Sequence, residues 1–302
     1  MTQPKFFAAV LVSGLLSWCA PQATGQTILF ADNFNRANNT SLSADSTGMS
    51  GTLGNLGYLE SWEGSPVNVN TWQINNNHLF KGQTGVSGGG AVNHNFIDGD
   101  ILAAGGFSVS LDIVSYGTQT LDLPDRWGGF GVGLTLAEVN GFTDENTQNT
   151  GARGAIALDT VASQIGTYGV DPWMHPGVAD FFVDVSKENN VQVFTGGMLV
   201  NQFAVTPAGS HTLTANFTFA DFNAGSQVNY SVLFEGNSIT SGTFTWSNTG
   251  ANYVALSARD SVVTLDNLSI ATVPEPSAAA LVLAGLAAVR LLASRARAPR
   301  AS

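Results

Sequence analysis

The chain between residue 26 and about residue 272 alternates apolar and polar side chains over short runs. In the segment 107–116, Phe107, Val109, Leu111 and Ile113 fall on one face. The same period of two recurs at 211–219, 228–236, 241–246, 251–258 and 262–271. Runs of this period, rich in Val, Thr, Phe and Tyr, are typical of antiparallel strands with one buried face. A dozen or more strands without a long amphipathic helix predict an all-β fold, an antiparallel two-sheet β-sandwich of the jelly-roll type.

One turn can be predicted in more detail. The stretch TWQINNNHLFKG at 71–82 places Asn75, Asn76 and Asn77 between two apolar runs. Asparagine tolerates positive φ better than most residues, so this segment predicts a β-hairpin with the asparagines at its tip.

Composition and charge narrow the function classes. Only 11% of the 302 residues are charged, and the chain contains 34 glycines. The segment 26–272 holds six basic and 21 acidic residues, a net charge of −15. Such a body repels polyanions, so nucleic acid is not expected as a partner. The single cysteine, Cys19, excludes an internal disulfide.

The two ends look like targeting segments. Lys5, an apolar run from Phe6 to Trp18, and small residues before Gln26 predict a secretory signal peptide at 1–25. Residues 273–302 combine a proline-flanked glutamate, an apolar run and a terminal arginine cluster. The apolar run is short for a full membrane span, and the arginines would stay on the cytoplasmic side.

This tail resembles the PEP-CTERM sorting domain of exported proteins from Gram-negative bacteria that make extracellular polysaccharide. Its parts are the motif Pro274, Glu275 and Pro276, the apolar helix, and Arg295, Arg297 and Arg300; Arg290 departs from the pattern by interrupting the helix. The resemblance implies processing by an exosortase, with transient anchoring in the inner membrane through the C-terminal helix. The processed protein is then expected at the cell surface or in the extracellular matrix.

The body, 26–272, resembles concanavalin/laminin-G-like sandwiches. The resemblance is carried by ILFADNFNRANN at 28–39, TWQINNNHL at 71–79, RWGGFGVGLT at 126–135 and VVTLDNLSIA at 262–271. In such folds the first and last strands commonly lie side by side, which would bring Asp32 near Asp266. Two carboxylates can supply oxygen ligands for a structural Ca²⁺. The alternative is that Asp32 caps a turn and Asp266 faces solvent; no other cofactor is expected.

Two tryptophans in Gly/Pro-rich stretches are candidates for stacking on sugar rings. Trp127 follows Arg126, and Trp173 lies near Asp171, so an aromatic surface and polar groups occur together. The alternative for each is a tryptophan that anchors a loop or the core. Trp62, Trp72 and Trp246 lie in strand-like patterns and are expected in the core.

Catalysis finds little support. The chain has no Gly-x-Ser-x-Gly elbow, no His-Glu-x-x-His motif and no strand with a Glu-x-Asp-x-x-Glu arrangement of carboxylates. The sequence therefore predicts a non-enzymatic surface or matrix protein that contacts extracellular polysaccharide. Two alternatives stay open, a glycan hydrolase on a concanavalin-like sandwich and an ice-binding surface protein. The second requires a flat, regular array of threonines, and the threonines are scattered along the chain.

Overall fold

The computed structural model describes residues 26–39, 42, 45–62, 72–81, 87–115, 127–141, 179–186, 190–205, 210–259 and 264–273. Within these ranges the chain forms sixteen strands and two six-residue helices. The strands are β1 (Ile28–Asp32), β2 (Met49–Ser50), β3 (Tyr58–Trp62), β4 (Trp72–Asn75), β5 (His78–Lys81), β6 (Ser87–Val92), β7 (Gly106–Ser115), β8 (Trp127–Leu134), β9 (Phe181–Ser186), β10 (Asn190–Thr195), β11 (Met198–Ala204), β12 (His211–Phe219), β13 (Gln227–Phe234), β14 (Asn237–Thr245), β15 (Tyr253–Arg259) and β16 (Thr264–Thr272). The helices are α1 (Gly99–Ala104) and α2 (Leu136–Gly141).

The strands form two antiparallel sheets. The nine-stranded sheet has the order β14-β13-β12-β7-β16-β1-β2, and the hairpin β4–β5 joins it through β16. The seven-stranded sheet has the order β11-β10-β9-β8-β15-β6-β3. The predicted all-β two-sheet sandwich is confirmed, and Thr27–Val273 forms one compact unit.

The core lies between the sheets and is built by the alternation seen in the sequence. On β7 and β12 every second side chain is fully buried, including Phe107, Leu111, Leu213 and Phe217. Aromatic rings dominate one end of this layer, where Phe181 packs at 5.0 Å from both Phe217 and Tyr230, measured between ring centroids. The two sheets are thus held together by the interdigitating side chains of their inner faces.

Several local expectations are confirmed. Asn76 and Asn77 have φ values of 51° and 63° and join β4 to β5. Trp72 and Trp246 are buried. The first and last strands, β1 and β16, are neighbours in the nine-stranded sheet.

Both helices are short and capped by side chains. The Asp98 carboxylate accepts the backbone N–H of Asp100 at 2.6 Å at the start of α1. At α2, Glu138 Oε2 accepts the backbone N–H of Thr135 at 2.6 Å, and Thr135 Oγ1 accepts the N–H of Glu138 at 3.2 Å. Within the described ranges no helix is long and apolar enough to cross a membrane.

Candidate functional site

The outer face of the seven-stranded sheet carries a row of directly paired residues that crosses six strands, with polar side chains on four of them and glycine on two. Inner-face residues such as Val183, Val193 and Leu256 pack in the core, so their neighbours along each strand belong to the outer face. The strand register then places one residue from each strand directly opposite the next. We call this set the polar row; from β11 to β6 it consists of Gln202, Gln192, Asp184, Gly129, Ser257 and Gly89.

An apolar row lies beside the polar row, two residues further along the strands and thus about 6.8 Å away; on β11 a bulge makes the separation three residues. Phe182 and Phe194 stand opposite each other in it, with ring centroids 5.9 Å apart. These side chains form a hydrophobic cluster separate from the core between the sheets. The apolar row comprises Leu199, Phe194, Phe182, Gly131, Ala255, Ala91 and Leu59.

The centre of the polar row is enclosed. Asp184 and Gln192 are each 1% exposed, and Ser257 is 2% exposed. Gly129 lies so close to β9 that a Cβ at this position would collide with the Val183 carbonyl oxygen. The backbone approach of β8 to β9 therefore requires glycine here.

Gln192 is a member of the row whose hydrogen bonding is incomplete. Its Nε2 donates to Gln202 Oε1 over a long 3.5 Å, and its Oε1 is buried without a partner among the described residues. A buried amide oxygen left without a donor costs about 1–3 kcal/mol. Orphan groups of this kind call for an explanation, and a ligand that supplies the donor is one.

Trp127, a residue singled out from the sequence, belongs to β8, the strand that contributes Gly129 to the polar row. Trp127 begins β8 two positions before Gly129 and stands opposite Ser186 and Arg259 in the ladders. Its position is therefore one row from Asp184, on the side away from Phe182.

Asp180 lies at the start of β9, beyond the apolar row. Its Oδ2 accepts the backbone N–H of Ser247 at 3.0 Å, and the residue is 5% exposed. Burial raises the pKa of the Asp180 carboxyl from 3.8 to about 6; the hydrogen bonds from Ser247 oppose the rise, and the nearby Glu138 carboxylate adds to it. The positive φ of Gly133, 82°, lets the backbone of β8 pass beside this carboxyl, where a Cβ would approach the Asp180 Cβ to 2.6 Å. A buried carboxyl with a raised pKa next to a sheet face is a common feature of binding sites.

A third buried acidic residue, Asp32, forms an ion pair with Arg36. Its Oδ1 accepts from Arg36 Nη1 and from the backbone N–H of Phe34, both at 2.8 Å. Its Oδ2 accepts from Arg36 Nη2 at 3.1 Å and from the Tyr58 hydroxyl at 3.0 Å. Arg36 also donates to the carbonyl oxygens of Thr47 and Leu42. We call Asp32, Arg36 and Tyr58 the ion-pair cluster; it fixes the turn after β1.

The predicted calcium pair, Asp32 and Asp266, falls on adjacent strands, where Asp32 stands opposite Leu268. Asp266 Oδ2 lies 3.7 Å from His78 Nε2, and burial raises the pKa of the Asp266 carboxyl. The described residues contain no group of three His, Cys, Asp or Glu suited to a metal ion. Because four donors already satisfy the Asp32 carboxylate, calcium binding there would have to displace Arg36. The calcium site stays a prediction.

The remaining predicted site residues lie outside the described residues. They are Arg126, Asp171 and Trp173 of the sugar-stacking prediction, and Pro274, Glu275, Pro276, Arg295, Arg297 and Arg300 of the sorting tail.

Sequence reasoning missed Asp184, Gln192, Ser257 and Asp180. The segments VDV at 183–185 and VQV at 191–193 do show one polar residue between two valines. That pattern identifies a polar residue on the outer face of a strand, but it cannot show that β9 and β10 align these residues.

Comparison with known proteins finds similar folds only at low similarity. No family model and no curated protein matches the chain. Among solved structures, peanut lectin is 13% identical over 78% of this chain and 96% of its own, with a TM-score of 0.41. The Lotus tetragonolobus seed lectin is 12% identical over 78% and 96%, with a TM-score of 0.40. The potassium-bound Emp46p carbohydrate recognition domain is 6% identical over 70% and 88%, with a TM-score of 0.40. At these scores the similarities do not show what this chain binds.

Proposed function

We propose that this chain is an exported, non-enzymatic surface protein whose sandwich binds a neutral saccharide on the outer face of the seven-stranded sheet. The observation that carries the proposal is the buried Gln192 Oε1 without a described partner, set in a polar row that crosses six strands. A saccharide hydroxyl is a donor of the kind that this oxygen lacks.

The chemistry of the two rows suits a sugar ring. Amide, carboxylate and hydroxyl groups of Gln192, Asp184 and Ser257 can bond to ring hydroxyls. The neighbouring Phe182 and Phe194 offer an apolar surface of the kind that packs against the C–H face of a sugar ring. Protein atoms cover the centre of the polar row, which is at most 2% exposed, so in this proposal the ligand is enclosed beneath them. An enclosed ligand is a short saccharide or the end of a chain.

The net charge of the body restricts the class of saccharide that it is proposed to bind. The segment 26–272 has a net charge of −15, so a polyuronate or another anionic polymer would be repelled over long range. We therefore propose a neutral saccharide of the extracellular matrix.

In this proposal the C-terminal segment 273–302 directs the protein to the cell surface or the extracellular matrix. Pro274, Glu275 and Pro276 would be recognised by an exosortase after export through the signal peptide, and Arg295, Arg297 and Arg300 would hold the apolar segment in the inner membrane until cleavage. Mass spectrometry of the native C-terminus tests this part alone. A terminus near residue 275 is expected, and an intact Ser302 on the exported protein contradicts it.

A glycan array probed with the purified full chain tests the binding activity. Binding is expected to neutral saccharides and not to uronic acids, with no release of reducing ends during prolonged incubation. Binding only to anionic glycans would contradict the proposed ligand class, and release of reducing ends would favour the hydrolase alternative.

A further inference from the structure

We infer that the protonation state of Asp180 controls the local opening of one end of the sandwich. At this end β8, β9, the turn before β15 and the segment before α1 meet at five residues, which we call the end junction: Asn95, Gly133, Asp180, Ser247 and Asn252. The inference goes beyond the proposed function, since it concerns a property of the fold and stands if no saccharide binds.

One half of the end junction is held by neutral amide groups. Asn252 is fully buried; its Oδ1 accepts the Gly133 N–H at 3.0 Å, and its Nδ2 donates to the Phe96 carbonyl oxygen at 3.3 Å. Asn95 Oδ1 accepts the Asn252 N–H at 2.7 Å, and Asn95 Nδ2 donates to the Gly250 carbonyl oxygen at 2.9 Å. None of these groups titrates, so a change of pH does not act on this half directly.

The other half of the end junction depends on Asp180. Its Oδ2 accepts the Ser247 N–H at 3.0 Å, and its backbone carbonyl oxygen accepts the Gly196 N–H at 2.9 Å. A Cβ at Gly133 would lie 2.6 Å from Asp180 Oδ2, so the backbone of β8 passes directly over the carboxyl. The Ser247 N–H can donate to the neutral carboxyl as well as to the carboxylate. Closure of the junction therefore does not require the charge, and burial at 5% exposure penalises it.

The charged groups around Asp180 do not compensate a negative charge. The group that faces it from α2 is Glu138, a second carboxylate, and Asp184 lies four residues along the same strand. On the segment before α1 the titratable groups are His94 and Asp98; burial lowers the pKa of His94, and the Asp98 carboxylate opposes this. Among the residues that the structure describes, no cation pairs with Asp180. Burial therefore raises the pKa of the Asp180 carboxyl to about 6.

Proton linkage turns this arrangement into a pH-sensitive opening. An open junction returns the Asp180 carboxyl to water, where its pKa is 3.8. The closed form thus binds the proton more tightly, so protonation favours closure and a rise of pH through about 6 favours opening. With these two pKa values the equilibrium constant for opening increases about tenfold between pH 5 and pH 7.5.

The opening uncovers the outer face of the seven-stranded sheet at its end. Phe181 and Val183 pack in the core, so Asp180 and Phe182 share the opposite face. The part of the apolar row that lies nearest the end junction is therefore Phe182, two residues from Asp180.

The test is amide hydrogen exchange of the purified full chain from pH 5 to pH 7.5, with each rate divided by the intrinsic exchange rate of that amide. The Ser247 and Gly196 N–H groups both donate to Asp180 and report the opening. In the wild type we expect their equilibrium constant for opening to increase about tenfold over this range. The Leu213 amide lies in β12, which is paired on both sides, and reports global unfolding, so it should exchange more slowly at every pH.

Two variants and one direct titration complete the test. Asp180→Asn keeps an oxygen acceptor for the Ser247 N–H and cannot ionise, so its opening should not change with pH. The matched control Asp100→Asn removes an exposed carboxylate from α1 and should keep the tenfold increase of about the wild-type size. NMR titration of the Asp180 carboxyl carbon in the wild type needs no variant and should give a midpoint of about 6.

Four results would overturn the inference. They are a flat pH profile at Ser247 and Gly196 in the wild type, the wild-type increase in Asp180→Asn, equal exchange of these amides and Leu213, and a titration midpoint in the ordinary aspartate range, below about 4.7. Equal exchange would assign the pH dependence to global unfolding. A glycan array without binding would contradict the proposed function alone, because none of these measurements uses a saccharide.

Discussion

The ion-pair cluster and the polar row are both buried and polar, but they are satisfied to different degrees. In the cluster the Asp32 carboxylate accepts four hydrogen bonds, and Arg36 donates to two carbonyl oxygens as well, so that Arg36 Nε is the buried atom of this cluster that lacks a described partner. In the polar row Gln192 Oε1 on β10 lacks a described partner, and just before the neighbouring strand β9 the Asp180 carboxyl has its pKa raised by burial. A network that is nearly complete fixes a fold, whereas an incomplete one leaves groups for a ligand.

The largest expected effect comes from breaking the ion-pair cluster. Asp32→Ala leaves the buried Arg36 guanidinium without its counter-charge, and removal of one partner of a buried pair typically costs about 3–5 kcal/mol. Chemical denaturation should show a loss of this size in the free energy of unfolding. Asp100→Ala, at an exposed carboxylate in α1, should cost under about 1 kcal/mol. Equal effects of the two variants would show that the cluster is not structural.

The second variant, Asp180→Asn, should raise the free energy of unfolding and not lower it. The folded-state pKa of Asp180, about 6, lies above its unfolded value of 3.8, so its stabilising contribution is complete below pH 3.8 and is lost as pH rises through about 6. Asp180→Asn keeps an acceptor for the Ser247 N–H and removes the ionisation. It should raise the free energy of unfolding at pH 8 by about 1–3 kcal/mol.

The pH dependence supplies the control for this variant. Thermal melting from pH 3.5 to pH 8 should show the gain of Asp180→Asn shrinking toward zero at the acidic end. A variant that is less stable than the wild type at pH 8 would contradict the assignment of Asp180 to an incompletely satisfied environment.

A loss of stability smaller than that of Asp32→Ala is expected when one hydrogen bond of the ion-pair cluster is removed. Tyr58→Phe removes the hydroxyl that donates to Asp32 Oδ2 and keeps the ring, whose centroid lies 6.0 Å from that of Phe30. A hydrogen bond to a charged group contributes about 1.5–3 kcal/mol, and denaturation should show a loss in this range. No loss would mean that the Arg36 guanidinium and the Phe34 N–H satisfy the carboxylate without the Tyr58 hydroxyl.

The sequence was sufficient for the fold class and for features set by neighbours along the chain. Alternation predicted the buried faces of β7 and β12, and the positive φ of Asn76 followed from residue type. Features that depend on register were missed. Asp184 and Gln192 are each one polar residue in a strand, and only the pairing of β9 with β10 brings them together. For Asp32 the sequence predicted a calcium ligand or a turn cap, and it did not predict the ion pair with Arg36, because side-chain geometry four residues apart is not visible in the sequence.

The central claim is that Gln192 is kept for a ligand and not for stability. Calorimetric titration of the full chain with its preferred neutral oligosaccharide, for the wild type, Gln192→Leu and the matched control Gln73→Leu, tests it most directly. We predict that Gln192→Leu binds at least about tenfold more weakly while its free energy of unfolding stays within about 1 kcal/mol of the wild type, because an apolar side chain removes the orphan oxygen. Unchanged affinity, or a large loss of stability, would contradict the account.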